Sequence, residues 1–252
     1  MSIFTDLLSV WRKEDLLSQA WDESLQMLDL SRNMFNKAVK KSKKQENLSI
    51  LKQLKNRDKK INSFHREVRR KIIMHYSIEQ STHNITSLMV LVNMIVDIER
   101  IGDYSKNILD LAINYPDALN TKHLHKDLYE IEKAVKERFD HTIDAVKTQD
   151  VKFAGNLLKG FKEKVTGASD RIVNNIIAGD LEFESGSEAA AIALYARYLK
   201  RIGSHLKNIT TTIVNPIDTI VYKVKKYLNV YSGLIVVIPK EKVDPFPSRL
   251  ST

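Results

Sequence analysis

Residues 97 to 108 read DIERIGDYSKNI, and residues 198 to 209 read YLKRIGSHLKNI. At a fixed offset of 101, Arg100, Ile101, Gly102, Lys106, Asn107 and Ile108 return as Arg201, Ile202, Gly203, Lys207, Asn208 and Ile209. The acids do not: Glu99 becomes Lys200 and Asp103 becomes Ser204. Self-similarity at so long a period marks two related structural units.

Proline placement bounds those units. None precedes Pro116, none lies between it and Pro216, and Pro239, Pro245 and Pro247 fall in the tail. Helix interiors exclude proline, so the chain divides into two long helical halves and an irregular end. Within each half apolar residues recur at three and four, as in Leu51, Leu54, Ile61, Val68 and Ile72, or Leu158, Phe161, Val165, Ala168 and Ile172. Polar breaks at 40–47, 81–84, 114–121, 147–150 and 178–188 cut the halves into three helices each. They predict helices near 12–41, 46–79, 84–114, 121–147, 150–178 and 187–214. Long helices with short connections pack antiparallel. The expected fold is therefore all-α, two tandem three-helix bundles over 1–116 and 117–216, followed by a C-terminal extension, 217–252. The β-branched run Leu234 to Ile238 suggests that this extension lies along a bundle as an extended segment.

The 252 residues are 43% apolar, enough for a sizeable core. There is no cysteine, which excludes disulfides and thiolate metal sites. The start, MSIFTDLLSVWRKED, has no secretory pattern, and no uncharged apolar run approaches the roughly 18 residues of a membrane span. The expectation is a cytoplasmic protein. Its net charge of +9 is concentrated in residues 37–71, with fourteen Lys or Arg against Glu46, Asp58 and Glu67. That block is read as the wet face of a long helix. The alternative is a surface for nucleic acid or an anionic membrane, centred on Lys40, Lys41, Lys43 and Lys44, with Phe64 the main aromatic for base stacking.

The candidate site lies on the third helix. Glu99 and Asp103 are four apart and share a face, Asp110 falls near the same line, and Val92 and Val96 continue it upstream. On the second helix Asp58 occupies a position in the stripe that otherwise belongs to the core. Carboxylates gathered from two helices repel one another unless they are protonated, paired with Arg or Lys, or bridged by a hard cation. Two readings stay open: ion pairing with Arg57, Arg100 and Lys106, or a metal site of Asp58, Glu99 and Asp103. Di-iron carboxylate bundles use Glu-x-x-His pairs, which do not accompany these acids. His123 and His125 point to different faces, and His65 is read as a packing residue. No catalytic residue is assigned, and a metal-dependent hydrolase lacks a recognisable base.

Asp58 with Ile61, followed by DIERIGDYSKNI, resembles the PhoU family of phosphate-uptake regulators over about residues 12–215. The resemblance implies a repeated three-helix bundle whose E/D-x-x-x-D acids collect multinuclear iron or zinc clusters, with magnesium or manganese as further options. It places the metal on Glu99 and Asp103, with Asp58 a further ligand and Asp97 and Asn107 as neighbours. It also implies a non-enzymatic regulator at the inner face of the membrane, beside a phosphate transporter and a sensor histidine kinase, and a homodimer as one assembly. The second repeat departs from the pattern. Lys200 and Ser204 replace the acids, Lys159 or Lys162 stands for Asp58, and Glu163 is the one near acid. Asn84, Ile85 and Thr86 replace the family's D-L-R triplet. A divergent member with one metal-binding bundle is expected.

Overall fold

The computed structural model describes residues 15–43, 47–79, 85–115, 125–159 and 162–215. The expected extended segment at 234–238 lies outside them. Helix α1 spans Asp15–Ser42, α2 Leu48–Lys55, α3 Asp58–Glu79 and α4 Ile85–Asn114. The second half comprises α5 (His125–Thr148), α6 (Val151–Leu157), a π-helical turn (Lys162–Gly167), α7 (Ala168–Ala178) and α8 (Gly186–Val214). The described residues form no strand.

Local chemistry sets the boundaries. Asn47 accepts from the Ser49 amide at 2.8 Å to cap α2, and Asp150 accepts from the Phe153 amide at 2.9 Å to cap α6. At α8, Ser185 accepts from the Glu188 amide while the Glu188 carboxylate receives the Glu184 amide. Gly179 closes α7 in the left-handed conformation, φ 77°, which carries no side-chain penalty there.

Each half differs from the expectation at its second helix, drawn as one piece over 46–79 and 150–178. In the first half the helix tightens at Asn56 and Arg57, where the Arg57, Lys59 and Lys60 amides bond to carbonyls three residues back. Asn and Asp are poor helix formers, and their clustering at 56–58 lets the ladder tighten. The helix restarts at Asp58. In the second half the π turn intervenes between α6 and α7.

The stripe read from the sequence is buried: Leu51, Leu54, Asp58, Ile61, Val68 and Ile72 are each at most 8% exposed. The five apolar side chains join Phe35, Met94, Ile101, Phe139, Tyr195 and Ile202 in one core that spans both bundles. Burial of each such aliphatic side chain is worth about 1.5–3 kcal/mol, and this apolar surface drives assembly. The bundles meet along α4 and α8, which run antiparallel. Asp97 on α4 faces His205 and Asn208, at 2.7 and 3.0 Å, and Tyr104 receives a hydrogen bond from Arg201 Nε at 3.0 Å. The two copies of the opening motif thus pack on each other.

Candidate functional site

Asp58 is the first residue of α3 and only 6% exposed. Its Oδ2 accepts from Asn62 Nδ2 at 3.1 Å and Lys106 Nζ at 3.2 Å. Its Oδ1 is buried and accepts no hydrogen bond among the described residues. Gly102 explains how α3 comes so close to α4. A Cβ there would stand 2.9 Å from Ile61 Cδ1 and 3.5 Å from Asp58 Oδ1, so any larger residue would displace the buried Ile61 side chain. The glycine in the motif is a close-approach residue.

Glu99 and Asp103 stand on α4 beside this approach. Burial raises the Glu99 carboxyl above its ordinary range and the charge of Asp103 raises it further, while Arg100 opposes the shift and Asp58 adds to it. Arg100 bonds Asp103 at 3.0 Å and lies 3.6 Å from Glu99. Lys106 reaches Asp58 at 3.2 Å and Asp103 at 3.9 Å. Burial disfavours its ammonium, but the hydrogen bond and charge of Asp58 outweigh that, and its pKa is raised. Asp110 is taken by Lys55 at 2.5 Å. His65, half-buried, has its pKa lowered by burial and by Arg69 and Arg100, and its Nε2 is buried with no hydrogen-bond partner among the described residues.

The donor chemistry suits a hard divalent cation: three carboxylates, one with an orphaned oxygen. The arrangement does not. Lys106 lies between Asp58 and Asp103, and among the described residues no three His, Asp or Glu side chains converge to hold a metal. The local count is three carboxylates against Arg100 and Lys106, so the chain supplies most of its own counter-charge.

The second copy is wired differently. Lys200 pairs with Asp170 on α7 at 2.5 Å, and the Ser204 hydroxyl donates to the Lys200 carbonyl at 2.9 Å. Where the first bundle gathers carboxylates, the described residues here close one ion pair, Lys200 with Asp170. Asp97, named with the motif acids, is 8% exposed and belongs to the α4–α8 seam with His205 and Asn208. Asn107 lines a recess of about 310 Å³ with Arg100, Asp103 and Tyr104.

Two features escaped the reading of the sequence. Glu132 on α5 is 2% exposed, receives the Tyr195 hydroxyl hydrogen bond at 2.8 Å and pairs with Lys43 at 2.6 Å. Burial pushes the Tyr195 hydroxyl pKa up, and the charge of Glu132 adds to it. Lys43 belongs to the basic block, as do Lys55, Lys71 and Arg70, which pair with Asp110, Glu23 and Glu67. Four of the block's fourteen basic residues are thus paired within the protein. The second feature is an apolar end. Ile73, Met74, Tyr76 and Ile78 on α3 and Ile85 and Met89 on α4 are 38–71% exposed. A groove of about 430 Å³ lies there, walled by Tyr76, Ile85, Met89 and Val92.

Comparison with known proteins agrees with this geometry. PhoU from Pseudomonas aeruginosa superposes with a TM-score of 0.67 at 20% identity, over 79% of this chain and 95% of that one. The phosphate transport system regulatory protein PhoU from Streptococcus pneumoniae gives 0.64 at 15% identity, over 78% and 92%. No curated relative matches in sequence. The PhoU domain family matches twice, at residues 25–112 and 128–213, one match in each bundle. The chain belongs to the PhoU family.

Proposed function

We propose that the chain is a non-enzymatic regulator of phosphate transport that works at the inner face of the membrane by docking on a transporter. Membership of the family supports the subject of regulation, and the apolar end carries the docking. Exposed apolar side chains gathered about a groove, here Tyr76, Ile85 and Met89, mark interaction sites. Arg66 and Arg69, two turns and one turn before Ile73, are exposed and unpaired among the described residues, so an apolar partner surface with an acidic rim fits this end. A sensor kinase that reads the transporter through the same protein is the further partner this reading includes. Among the described residues no helix is long and apolar enough to cross a membrane.

The acid cluster has a place in the same proposal. The first bundle takes a divalent cation, iron, zinc, manganese or magnesium, on Asp58, Glu99 and Asp103 when Lys106 gives way, and the second bundle takes none. Asp58 Oδ1 and the raised Glu99 carboxyl support it. Metal analysis of untagged protein, compared with Glu99→Ala plus Asp103→Ala, tests it: stoichiometric metal lost in the variant is expected, and no metal under any reconstitution refutes it. For docking, Ile78→Glu plus Met89→Glu should abolish co-purification with the transporter and restraint of phosphate uptake while helicity is kept. Wild-type co-purification and uptake in that variant contradict the assignment of this end.

A further inference from the structure

The seam between α1 and α5 carries an arrangement that neither the acid cluster nor the apolar end uses. Three ion pairs cross it, Lys147 to Asp29 at 3.8 Å, Arg32 to Asp140 at 3.0 Å and Lys43 to Glu132 at 2.6 Å. On the same two helices Phe35 and Phe139 stack in the core with centroids 5.6 Å apart. Beside the seam lies a groove of about 460 Å³ lined by Asn36, Val39, Lys40, Lys43, Lys136 and Asp140.

The charges in this groove do not balance. Asp140 is answered by Arg32, and Lys43 by Glu132. Lys40 and Lys136 have no acidic partner among the described residues, so two ammonium groups from opposite walls remain uncompensated. Lys43 is no free surface lysine either. The Glu132 carboxylate that holds it is 2% exposed and is fixed from behind by Tyr195 of α8. The groove therefore presents two open cations, a third of fixed position, and the Asn36 amide as a neutral donor.

We propose that this groove is a binding site for a compact phosphate-bearing anion, either free phosphate or the phosphates of a nucleotide-sized metabolite. Its volume falls within the range of small-molecule sites, and lysine binds phosphate as a point charge. A dianion between Lys40 and Lys136 cancels the excess on both walls and touches both bundles at once. An extended polyanion does not fit. Glu137, Asp140 and Asp144 are exposed along α5 on the C-terminal side of Lys136 and repel a strand or bilayer that runs on past the groove. The inference rests on the charge and shape of the seam, independent of the phosphate-transport reading.

Direct titration of the full chain at fixed ionic strength, with inorganic phosphate, pyrophosphate and ATP as separate probes, tests it. Saturable binding of at least one probe is expected. Lys40→Gln plus Lys136→Gln should weaken it at least about tenfold, and the charge-matched Lys37→Gln plus Lys133→Gln should leave it within about twofold. Inorganic phosphate alone and ATP distinguish the free ion from a larger metabolite. No saturable binding up to about 10 mM of any probe overturns the proposal, as does equal weakening by both variants. Binding confined to phosphatidylglycerol vesicles overturns it too. Unchanged phosphate uptake in a deletion strain would fail the transport reading and leave this result standing.

Discussion

Replacing Lys106 with methionine keeps most of the unbranched stem and removes the one cation that, among the described residues, reaches both Asp58 and Asp103. The Asp58 side chain is 8% exposed, and without Lys106 its carboxylate keeps only Asn62 as donor. Breaking a fully buried pair costs about 3–5 kcal/mol, because the surviving charge is left in a poor medium. Lys106 is 31% exposed, so water enters to part of the gap and a loss of about 2 kcal/mol is expected. For a chain of this size that lowers Tm by roughly 4–8 °C. Arg100→Met is the control: its guanidinium is 54% exposed, and the loss should stay below about 1 kcal/mol. Urea denaturation of the two variants and the wild type measures the difference. The cation proposal adds a second readout. With Lys106 gone, a divalent ion at about 100 times its Kd contributes about 2.7 kcal/mol and restores the variant. A Lys106→Met loss no larger than that of Arg100→Met refutes the account of a buried Asp58 held by lysine. A full loss that manganese, zinc, iron and magnesium all fail to restore refutes the cation proposal alone.

Other outcomes follow from the same geometry. Glu99→Gln should stabilise the protein at neutral pH: the folded state holds the Glu99 proton more tightly than the unfolded chain, so the ionised form opposes folding. That gain should fade as pH falls through the raised folded pKa and be gone below the ordinary carboxyl value of 4.5, which denaturation at a series of pH values reads directly. Tyr195→Phe removes the hydroxyl donor from a buried carboxylate and should cost about 1–3 kcal/mol by urea denaturation, despite its distance from the motif. Lys200→Ala should cost less than about 1 kcal/mol, since Asp170 is 42% exposed and its charge is solvated once freed. A larger loss in the same measurement would mean that Lys200 holds the second bundle together as a metal would.

Much of the fold was legible because proline exclusion and a three-four apolar spacing are strong local signals. Pro116 and Pro216 marked the halves, and the stripe from Leu51 to Ile72 proved buried with Asp58 inside it. The breaks at 56–57 and after Leu157 were missed because a helix that tightens or widens by one residue keeps its apolar period. At the site, the sequence placed Asp58 and the α4 acids together, and Arg100 and Lys106 were already the competing partners. Asp97 was drawn toward the motif by adjacency, whereas its position two residues before Glu99 turns it onto α8. Glu132 and Tyr195 are 63 residues apart and carried no local signal. Lys43 looked like part of a wet face, since charge runs say nothing about which member turns inward.

Phosphate uptake in cells lacking the protein, measured with labelled phosphate after growth in phosphate-rich medium, tests the central claim most directly. The regulatory account predicts that uptake and phosphate-responsive transcription escape restraint in the deletion strain and return to normal when the wild-type chain is supplied. It also predicts that the chain with Ile78→Glu and Met89→Glu fails to restore them. Uptake and transcription that do not change on deletion would contradict it.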